Sequence, residues 1–202
     1  MMPTLVTAAE VSMRRNVCRL VMVCGLVLVT RQTSWAQDSI PYVPSPMYVV
    51  HKMIEVAEIK KGDILYDMGS GDGRIVIEAA KKFGIHGVGI DLNPELVAKA
   101  KENALNEGVS HLVEFRAQDG LTVDISEATV VTLYMFKWFN NALRPKLQKL
   151  KPGSRVVAHD FDIDEWKPTR VEYIGPPSDG SSDYVDSRTL YIWKVGEAPA
   201  MP

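Results

Sequence analysis

The stretch Asp67-Met68-Gly69-Ser70-Gly71-Asp72-Gly73-Arg74 stands between a predicted strand, 64–68, and a predicted helix over about 73–83. Glycines at such a point let the backbone turn sharply and approach a ligand where a Cβ atom would collide. The dinucleotide fingerprint requires G-x-G-x-x-G, and its sixth position, counted from Gly69, is Arg74, so a nicotinamide site would lack its third glycine. The pattern present is acid-x-G-x-G-x-G, and a second acid, Asp91, closes the next predicted strand 24 residues after Asp67. The stretch predicts a ligand-binding turn, with a purely structural turn as the alternative.

Outward from this stretch, predicted strands and helices alternate. Apolar residues at i, i+3, i+4 and i+7 mark a first helix, namely Val50, Met53, Ile54 and Ala57. Further helices are predicted at about 73–83, 94–107 and 138–150, and strands at 64–68, 85–90, 111–117, 128–135 and 154–160. Such alternation implies an α/β domain with a parallel sheet that is covered on both faces. Strand-like stretches at 170–175 and 189–195 predict an antiparallel hairpin on the sheet edge.

The composition is that of a globular protein with one core. Hydrophobic residues make up 46% of the chain and charged residues 24%, which excludes disorder, collagen and a multispan membrane protein. Lysine and arginine number 23 against 25 acids, giving a formal net charge of -2. Because no long basic run is present, we expect no nucleic-acid partner. Nothing in the sequence indicates an oligomeric state.

The first 36 residues differ from the rest of the chain. They carry four arginines and one glutamate, a net charge of +3, whereas the remainder carries 19 basic and 24 acidic residues, a net charge of -5. A basic start, an apolar stretch of about 10 residues and the exit Ser34-Trp35-Ala36 predict a secretory signal peptide over 1–36 that is cleaved after Ala36. The expected location is exported or envelope-associated; the alternatives are an uncleaved membrane anchor or an organellar presequence. A proline-rich segment, 37–46, then leads into one domain, 47–197.

Both cysteines, Cys18 and Cys24, lie inside this leader. A processed chain would therefore contain no thiol for a disulfide, a zinc site or a nucleophile. No acid or histidine cluster suggests a metal, so no metal cofactor is expected.

The acid-x-G-x-G-x-G pattern resembles the S-adenosylmethionine loop of class I methyltransferases. The resemblance implies a Rossmann-like α/β fold with a mostly parallel seven-stranded sheet and a C-terminal antiparallel hairpin. It implies that Asp67 holds the cofactor's ammonium group, that Asp91 accepts hydrogen bonds from the ribose hydroxyls and that Asp119 contacts the adenine ring. The complete set of expected cofactor-binding residues is Tyr42, Asp67, Gly69, Ser70, Gly71, Gly73, Asp91, Asn93 and Asp119. Helix capping, shared with Asn93, remains the alternative for Asp91, and a structural role the alternative for Asp119.

A closer resemblance covers roughly 41–165, through PYVPSP, DMGSGDGRIVIEAA, GVGIDLNPELV, LYMF and PGSRVVAHDF. These segments together are similar to the mitochondrial protein-lysine methyltransferases that modify the ATP synthase c subunit and the adenine nucleotide translocase, and to their bacterial relatives. The resemblance implies methyl transfer to a lysine amine of a protein substrate, with a membrane or envelope protein as the finer expectation. The alternatives are a small-molecule methyltransferase, a cofactor-binding protein without catalysis, or a nicotinamide enzyme.

The end of the fourth strand bears on the methyl acceptor. It runs Thr132-Leu133-Tyr134-Met135-Phe136 and lacks the Asn/Asp-Pro-Pro-Tyr found in methyltransferases acting on bases or glutamine amides. An aromatic lining suits an amine, since cationic groups are held against π faces and desolvation lowers the pKa of lysine. Tyr134 and Phe136 are therefore the candidate catalytic residues. Core packing is the alternative for Phe136, and we expect His159 to be structural.

Overall fold

The computed structural model describes residues 42–176 and 187–198. The predicted leader, the start of the proline-rich segment and residues 177–186 lie outside the described residues, so the leader stays a prediction. The helices are α1 Met47–Val56, α2 Arg74–Phe83, α3 Pro94–Asn106 and α4 Lys137–Leu147. The strands are β1 Ile64–Met68, β2 His86–Asp91, β3 Val113–Ala117, β4 Val130–Leu133, β5 Arg155–His159, β6 Arg170–Ile174 and β7 Arg188–Lys194.

The seven strands form one sheet in the order β3-β2-β1-β4-β5-β7-β6. Strands β1 to β5 run parallel, whereas β7 is antiparallel to both β5 and β6. This confirms the predicted parallel sheet with a C-terminal hairpin. The strand order reverses between β1 and β4, and ligands of open α/β sheets bind outside the carboxyl ends of the strands at such a point.

Alternate residues of the central strands enter two separate cores. Leu65 and Val130 join the core formed with α1, α2 and α3. Their neighbours Tyr66 and Val131 join the core formed with α4 on the opposite face. Because side chains of a strand alternate between faces, both faces of β1 and β4 are apolar. No helix within residues 42–176 and 187–198 is long and apolar enough to cross a membrane.

Four predicted boundaries differ from the structure by two or more residues, and one of them is the start of β4, at Val130 rather than 128. Strand β3 begins at Val113 rather than 111, because a turn closed by Leu112 N–H and Val109 O at 2.8 Å precedes it. Strand β4 ends at Leu133 rather than 135, since its register with β1 and β5 stops there. The helix predicted to 150 ends at Leu147 in a tight turn that keeps Leu150 buried.

Candidate active site

The glycine loop leaves β1 at the point where the strand order reverses. Its backbone is anchored to β2, because the N–H groups of Gly69 and Ser70 both donate to Ile90 O, at 2.8 and 2.9 Å. Gly71 has φ +53, and a Cβ atom there would lie 2.5 Å from the Tyr42 ring. At Gly69, with φ +79, a Cβ atom would lie 2.4 Å from Met135 Sδ. Glycine is therefore needed both for the turn and for the close approach of Tyr42 and Met135.

Asp91 ends β2 and joins the two loops beside it. Its Oδ2 accepts a hydrogen bond from Gly71 N–H at 2.8 Å, and its Oδ1 accepts one from Asn93 N–H at 2.9 Å. The α3 cap itself is Asn93, whose Oδ1 accepts from Glu95 N–H at 2.9 Å. Each carboxylate oxygen of Asp91 keeps acceptor capacity for a ligand. Asp91 therefore holds the turn and remains able to bind a hydroxyl group.

Asp67 is a buried carboxylate, only 2% exposed, at the start of the loop. Thr132 Oγ1 donates a hydrogen bond to its Oδ1 at 2.7 Å. Burial, the largest cause, raises the pKa of Asp67 to about 7 together with the nearby carboxylates of Asp91 and Asp72, against the opposing hydrogen bond from Thr132. A cation bound at this point would offset both effects.

Arg74 fastens the end of the proline-rich segment to the loop. Its Nε and Nη2 donate to the two oxygens of Asp72 at 2.9 and 2.6 Å, and its Nη1 donates to Ser45 O at 2.8 Å. Partial burial and the Asp72 carboxylate raise the pKa of Tyr42, which places Tyr42 in the same cluster. The sequence pattern includes Arg74 but indicates no role for it, because its partner Ser45 lies 29 residues away.

Asp119 shapes the turn after β3. Its Oδ1 accepts from Leu121 N–H at 2.9 Å, and its carbonyl oxygen accepts from Thr122 N–H at 3.0 Å. The adjacent Gln118 donates through its N–H to Asp91 O at 3.0 Å. The turn role stated as the alternative for Asp119 is thus present, and the adenine contact stays a prediction.

Three aromatic rings lie beyond the carboxyl ends of β4 and β5. The centroid of the Phe161 ring is 5.7 Å from that of Phe136 and 6.4 Å from that of Tyr134. Phe136 is 38% exposed, so the core-packing alternative is wrong for it. We name Tyr134, Phe136 and Phe161 the aromatic slot. Met135 connects the slot to the glycine loop through its approach to Gly69.

His159 packs against the Tyr134 ring of the aromatic slot. Its ring stacks on Tyr134 with centroids 3.9 Å apart, and its Nδ1 is 3.0 Å from Ser45 Oγ in a buried hydrogen bond. Burial lowers the pKa of His159, so the imidazole is neutral at pH 7. A structural role for His159, as expected, includes positioning Tyr134 and the proline-rich segment.

Two adjacent asparagines of α4 differ in their hydrogen bonding. Asn140 is fully buried, and its Nδ2 donates to Phe161 O at 2.9 Å, while its Oδ1 has no partner among the described residues. Asn141 Nδ2 donates to Asp164 Oδ2 at 2.7 Å, and Asn141 Oδ1 accepts from Asp164 N–H at 2.8 Å. A buried acceptor without a partner costs about 1–3 kcal/mol. Asn140 was not predictable from the sequence, because no local pattern marks such a group.

Within residues 42–176 and 187–198, no group of three or more histidine, cysteine, aspartate or glutamate side chains is placed to hold a metal ion.

Comparison with known proteins identifies the family to which the chain belongs. Residues 67–170 match the model of a family described as the ANTKMT methyltransferase domain. The chain belongs to this methyltransferase family. A protein-lysine N-methyltransferase of Saccharolobus islandicus is 42% identical to it over 160 residues, which cover 78% of this chain and 95% of that relative. A lysine N-methyltransferase of the ATP synthase c subunit from Xenopus laevis is 37% identical over 133 residues, covering 65% of this chain and 58% of that relative.

A solved structure extends the comparison to the fold and the cofactor. It is described as an RNA methyltransferase from Salinibacter ruber in complex with S-adenosyl-L-homocysteine. The present chain is 48% identical to it, with a TM-score of 0.67 over 78% of this chain and 97% of that one. The predicted family, Rossmann-like fold and cofactor are confirmed: the protein is an S-adenosylmethionine-dependent methyltransferase.

The residues of the glycine loop fit this cofactor chemically. Asp67 is a buried carboxylate beside two others, and the cofactor carries an ammonium group that would balance its charge. Ser70 Oγ is buried and has no partner among the described residues. Asp67, Ser70, Gly71 and Asp91 are therefore the residues that would hold the cofactor; their individual contacts stay predictions.

Proposed function

We propose that this methyltransferase transfers a methyl group to the side-chain amine of a lysine in a protein substrate. The observation that carries the proposal is the aromatic slot. A neutral His159 and Asn140 lie behind it, and Asp160, which is paired with Arg188, lies 3.4 Å from His159 Nε2. Desolvation beside these rings favours a neutral amine over an ammonium ion, while the aromatic faces attract the cationic sulfonium of the donor. The similarity to a lysine methyltransferase over nearly that relative's whole length supports the same acceptor.

The chemistry needs alignment and an uncharged nucleophile. When bound, S-adenosylmethionine supplies a methyl group on a sulfonium, which is electrophilic without further activation. The chain's contribution is to hold the loop ligand through Asp67 and Asp91 and to present the amine along the slot. Proton release to water precedes attack, because an ammonium nitrogen has no lone pair. We see no requirement for a strong base in this arrangement.

RNA is the competing macromolecular acceptor, because the Salinibacter ruber relative is described as an RNA methyltransferase. RNA-binding proteins neutralise phosphates with clustered lysine and arginine. This chain has 25 acidic against 23 basic residues and no long basic run. The charge balance favours a lysine-bearing protein over a phosphate backbone.

Label transfer to separated acceptors tests the proposal. The full chain is incubated with methyl-tritiated S-adenosylmethionine and extracts of cells that lack the gene, divided into soluble protein, membrane protein, RNA and small molecules. Acid hydrolysis should place the label in methyl-lysine. Label confined to nucleosides would establish RNA methylation instead, and label confined to metabolites a small-molecule enzyme. Cofactor binding without any label would indicate a non-catalytic protein.

The membrane or envelope origin of the substrate is the finer part of the proposal, and the predicted leader supports it. The same experiment tests it by comparing the membrane fraction with the soluble fraction. N-terminal sequencing of the protein recovered from each compartment supplies the second readout: a start at Gln37 indicates export with cleavage, and an intact leader in membranes indicates an anchor.

A further inference from the structure

Asn140 is hydrogen-bonded to the backbone carbonyl groups of Phe136 and Phe161, two residues of the aromatic slot. Its backbone N–H donates to Phe136 O at 3.2 Å, and its side-chain Nδ2 donates to Phe161 O at 2.9 Å. A carbonyl oxygen accepts hydrogen bonds only, so the amide nitrogen, and not the amide oxygen, must face Phe161 O. The backbone bond is the first helical bond of α4 and places Asn140, and the Nδ2 bond to Phe161 O fixes the orientation of its carboxamide.

This orientation leaves Asn140 Oδ1 buried as an acceptor without a partner among the described residues. Buried polar atoms are nearly always paired, so an orphan beside an active site requires an explanation. The neighbouring Asn141 shows the ordinary outcome, since both ends of its amide are bonded to Asp164. The difference between adjacent residues of one type points to a ligand group at Asn140.

We propose that Asn140 Oδ1 accepts a hydrogen bond from the methyl-accepting lysine amine, an inference that rests on the proposed function. A neutral primary amine has two N–H donors and one lone pair. One N–H bound to Oδ1 directs the lone pair away from Asn140 and limits rotation of the amine. A carboxamide oxygen serves here better than a carboxylate, because a carboxylate would stabilise the unreactive ammonium form.

The bonds and charges of the step balance. The lysine ammonium first loses a proton to water. The amine nitrogen then forms a bond to the methyl carbon while the carbon–sulfur bond of the sulfonium breaks and its electron pair stays on sulfur. The product is a methylammonium group, which loses a proton to water, together with the neutral thioether. Asn140 gains and loses no proton.

Two substitutions separate this role from a structural one. Asn140→Leu removes both the free acceptor and the bond to Phe161 O at similar volume. Asn140→Asp keeps an acceptor oxygen but loses the amide donor to Phe161 O. If the acceptor matters, Asn140→Leu lowers the initial rate about 10- to 100-fold at limiting substrate. Asn140→Asp stays well above it when both are compared at pH 9, where an amine whose pKa the carboxylate raises can still lose its proton, despite being no more stable. Asn141→Leu is the matched control and should keep the rate within about twofold.

Rates are measured as tritium entering methyl-lysine over a range of concentrations of the membrane extract from cells lacking the gene, or of whichever protein fraction the wild type labels. Melting temperature and calorimetric affinity for S-adenosylmethionine are measured on every variant. Unchanged cofactor affinity in Asn140→Leu shows that the variant is folded.

Two outcomes overturn the inference. Activity that follows melting temperature across the variants, with Asn140→Asp no better than Asn140→Leu, shows a structural role only. An Asn140→Leu variant as active as a wild type that labels lysine shows that transfer does not need Asn140. A wild type that labels no lysine contradicts the proposed function itself and removes the inference with it.

Discussion

At the scale of single residues, we expect the ionisation of Asp67 to affect both cofactor binding and stability. Its pKa of about 7 in the free protein compares with about 3.9 in an unfolded chain, because burial disfavours the carboxylate. A raised pKa of this kind means that the folded protein binds more protons than the unfolded one between these values. The stability present below pH 4 is therefore lost as the pH rises through 7.

Asp67→Asn removes this dependence of stability on pH, because an amide does not titrate. The amide oxygen can still accept the hydrogen bond from Thr132. Between pH 5 and 8 the wild type should lose about 2–3 kcal/mol of unfolding free energy relative to Asp67→Asn. Urea denaturation at the two pH values measures the difference. The substituted protein should also bind S-adenosylmethionine more weakly at pH 8. Parallel pH profiles for the two proteins would show that Asp67 does not titrate in this range.

Asp91→Ala should weaken S-adenosylmethionine binding about 10- to 100-fold, because a charge-assisted hydrogen bond is worth roughly 1.5–3 kcal/mol. Part of the loss comes from the turn, since Gly71 N–H loses its acceptor. Asp124→Ala is the control: this exposed carboxylate accepts from Ser126 N–H at 2.9 Å in a separate loop. Calorimetry on both proteins measures the affinities, and an unchanged value for folded Asp91→Ala would remove Asp91 from the site.

Tyr134 should affect transfer more than cofactor binding. We expect Tyr134→Ala to lower kcat at least about tenfold while the calorimetric affinity for S-adenosylmethionine changes little, because its predicted contacts are with the methyl group and the amine. Tyr134→Phe preserves a ring that can stack on His159 and should recover most of the rate. Tyr173→Ala, at a ring 79% exposed on β6, is the control. Equal losses of kcat and affinity in Tyr134→Ala would assign Tyr134 to cofactor binding.

At the scale of elements, the glycine loop and the proline-rich segment act together. Gly71→Ala introduces a Cβ atom 2.5 Å from the Tyr42 ring and so displaces that ring from the loop. Gly84→Ala has the same backbone penalty at φ +63 but meets nothing within 4 Å. Each substitution should cost about 1–2 kcal/mol of stability.

Only Gly71→Ala should lose affinity for S-adenosylmethionine, by about tenfold or more if a hydrogen-bonded contact is broken. Calorimetry and thermal unfolding of both variants measure the two effects. A double variant with Tyr42→Ala locates the cause: if displacement of Tyr42 is responsible, the two substitutions are less than additive. Additive losses would show that Gly71 acts on the cofactor independently of Tyr42.

The elements that sequence analysis predicted well are those that local patterns specify. The glycine loop, the strand alternation and the hairpin follow from residues close together in the chain, whereas element ends depend on register with neighbouring strands. The site's supporting contacts were not predictable in this way. Ser45 bonds to His159 across 114 residues, and Asn140 bonds to Phe161 across 21. Such pairs become visible only when the fold brings the ends of β4 and β5 beside the proline-rich segment.

At the scale of the whole molecule, ionisations in the two halves of the site should act on different kinetic constants. Asp67 lies in the glycine loop, so its titration near pH 7 should change the affinity for S-adenosylmethionine. The proposed methyl-accepting amine would lie at the aromatic slot, so its titration should change the transfer rate. His159 contributes no rise above pH 6, because burial lowers its pKa. A saturating cofactor concentration therefore isolates the amine.

Under saturating cofactor, the transfer rate of the wild type should rise about tenfold per pH unit and level off at the pKa of the bound amine, below the usual value of about 10.4. The plateau lies lower because the apolar slot disfavours the ammonium form. Single-turnover experiments with enzyme in excess report this step without product release. Asp67→Asn should show the same rise once its cofactor site is saturated, since Asp67 acts only on the cofactor. A rate that stays flat from pH 5 to 9 in both proteins would exclude a titrating amine and favour an alcohol, carboxylate or nucleobase as the acceptor.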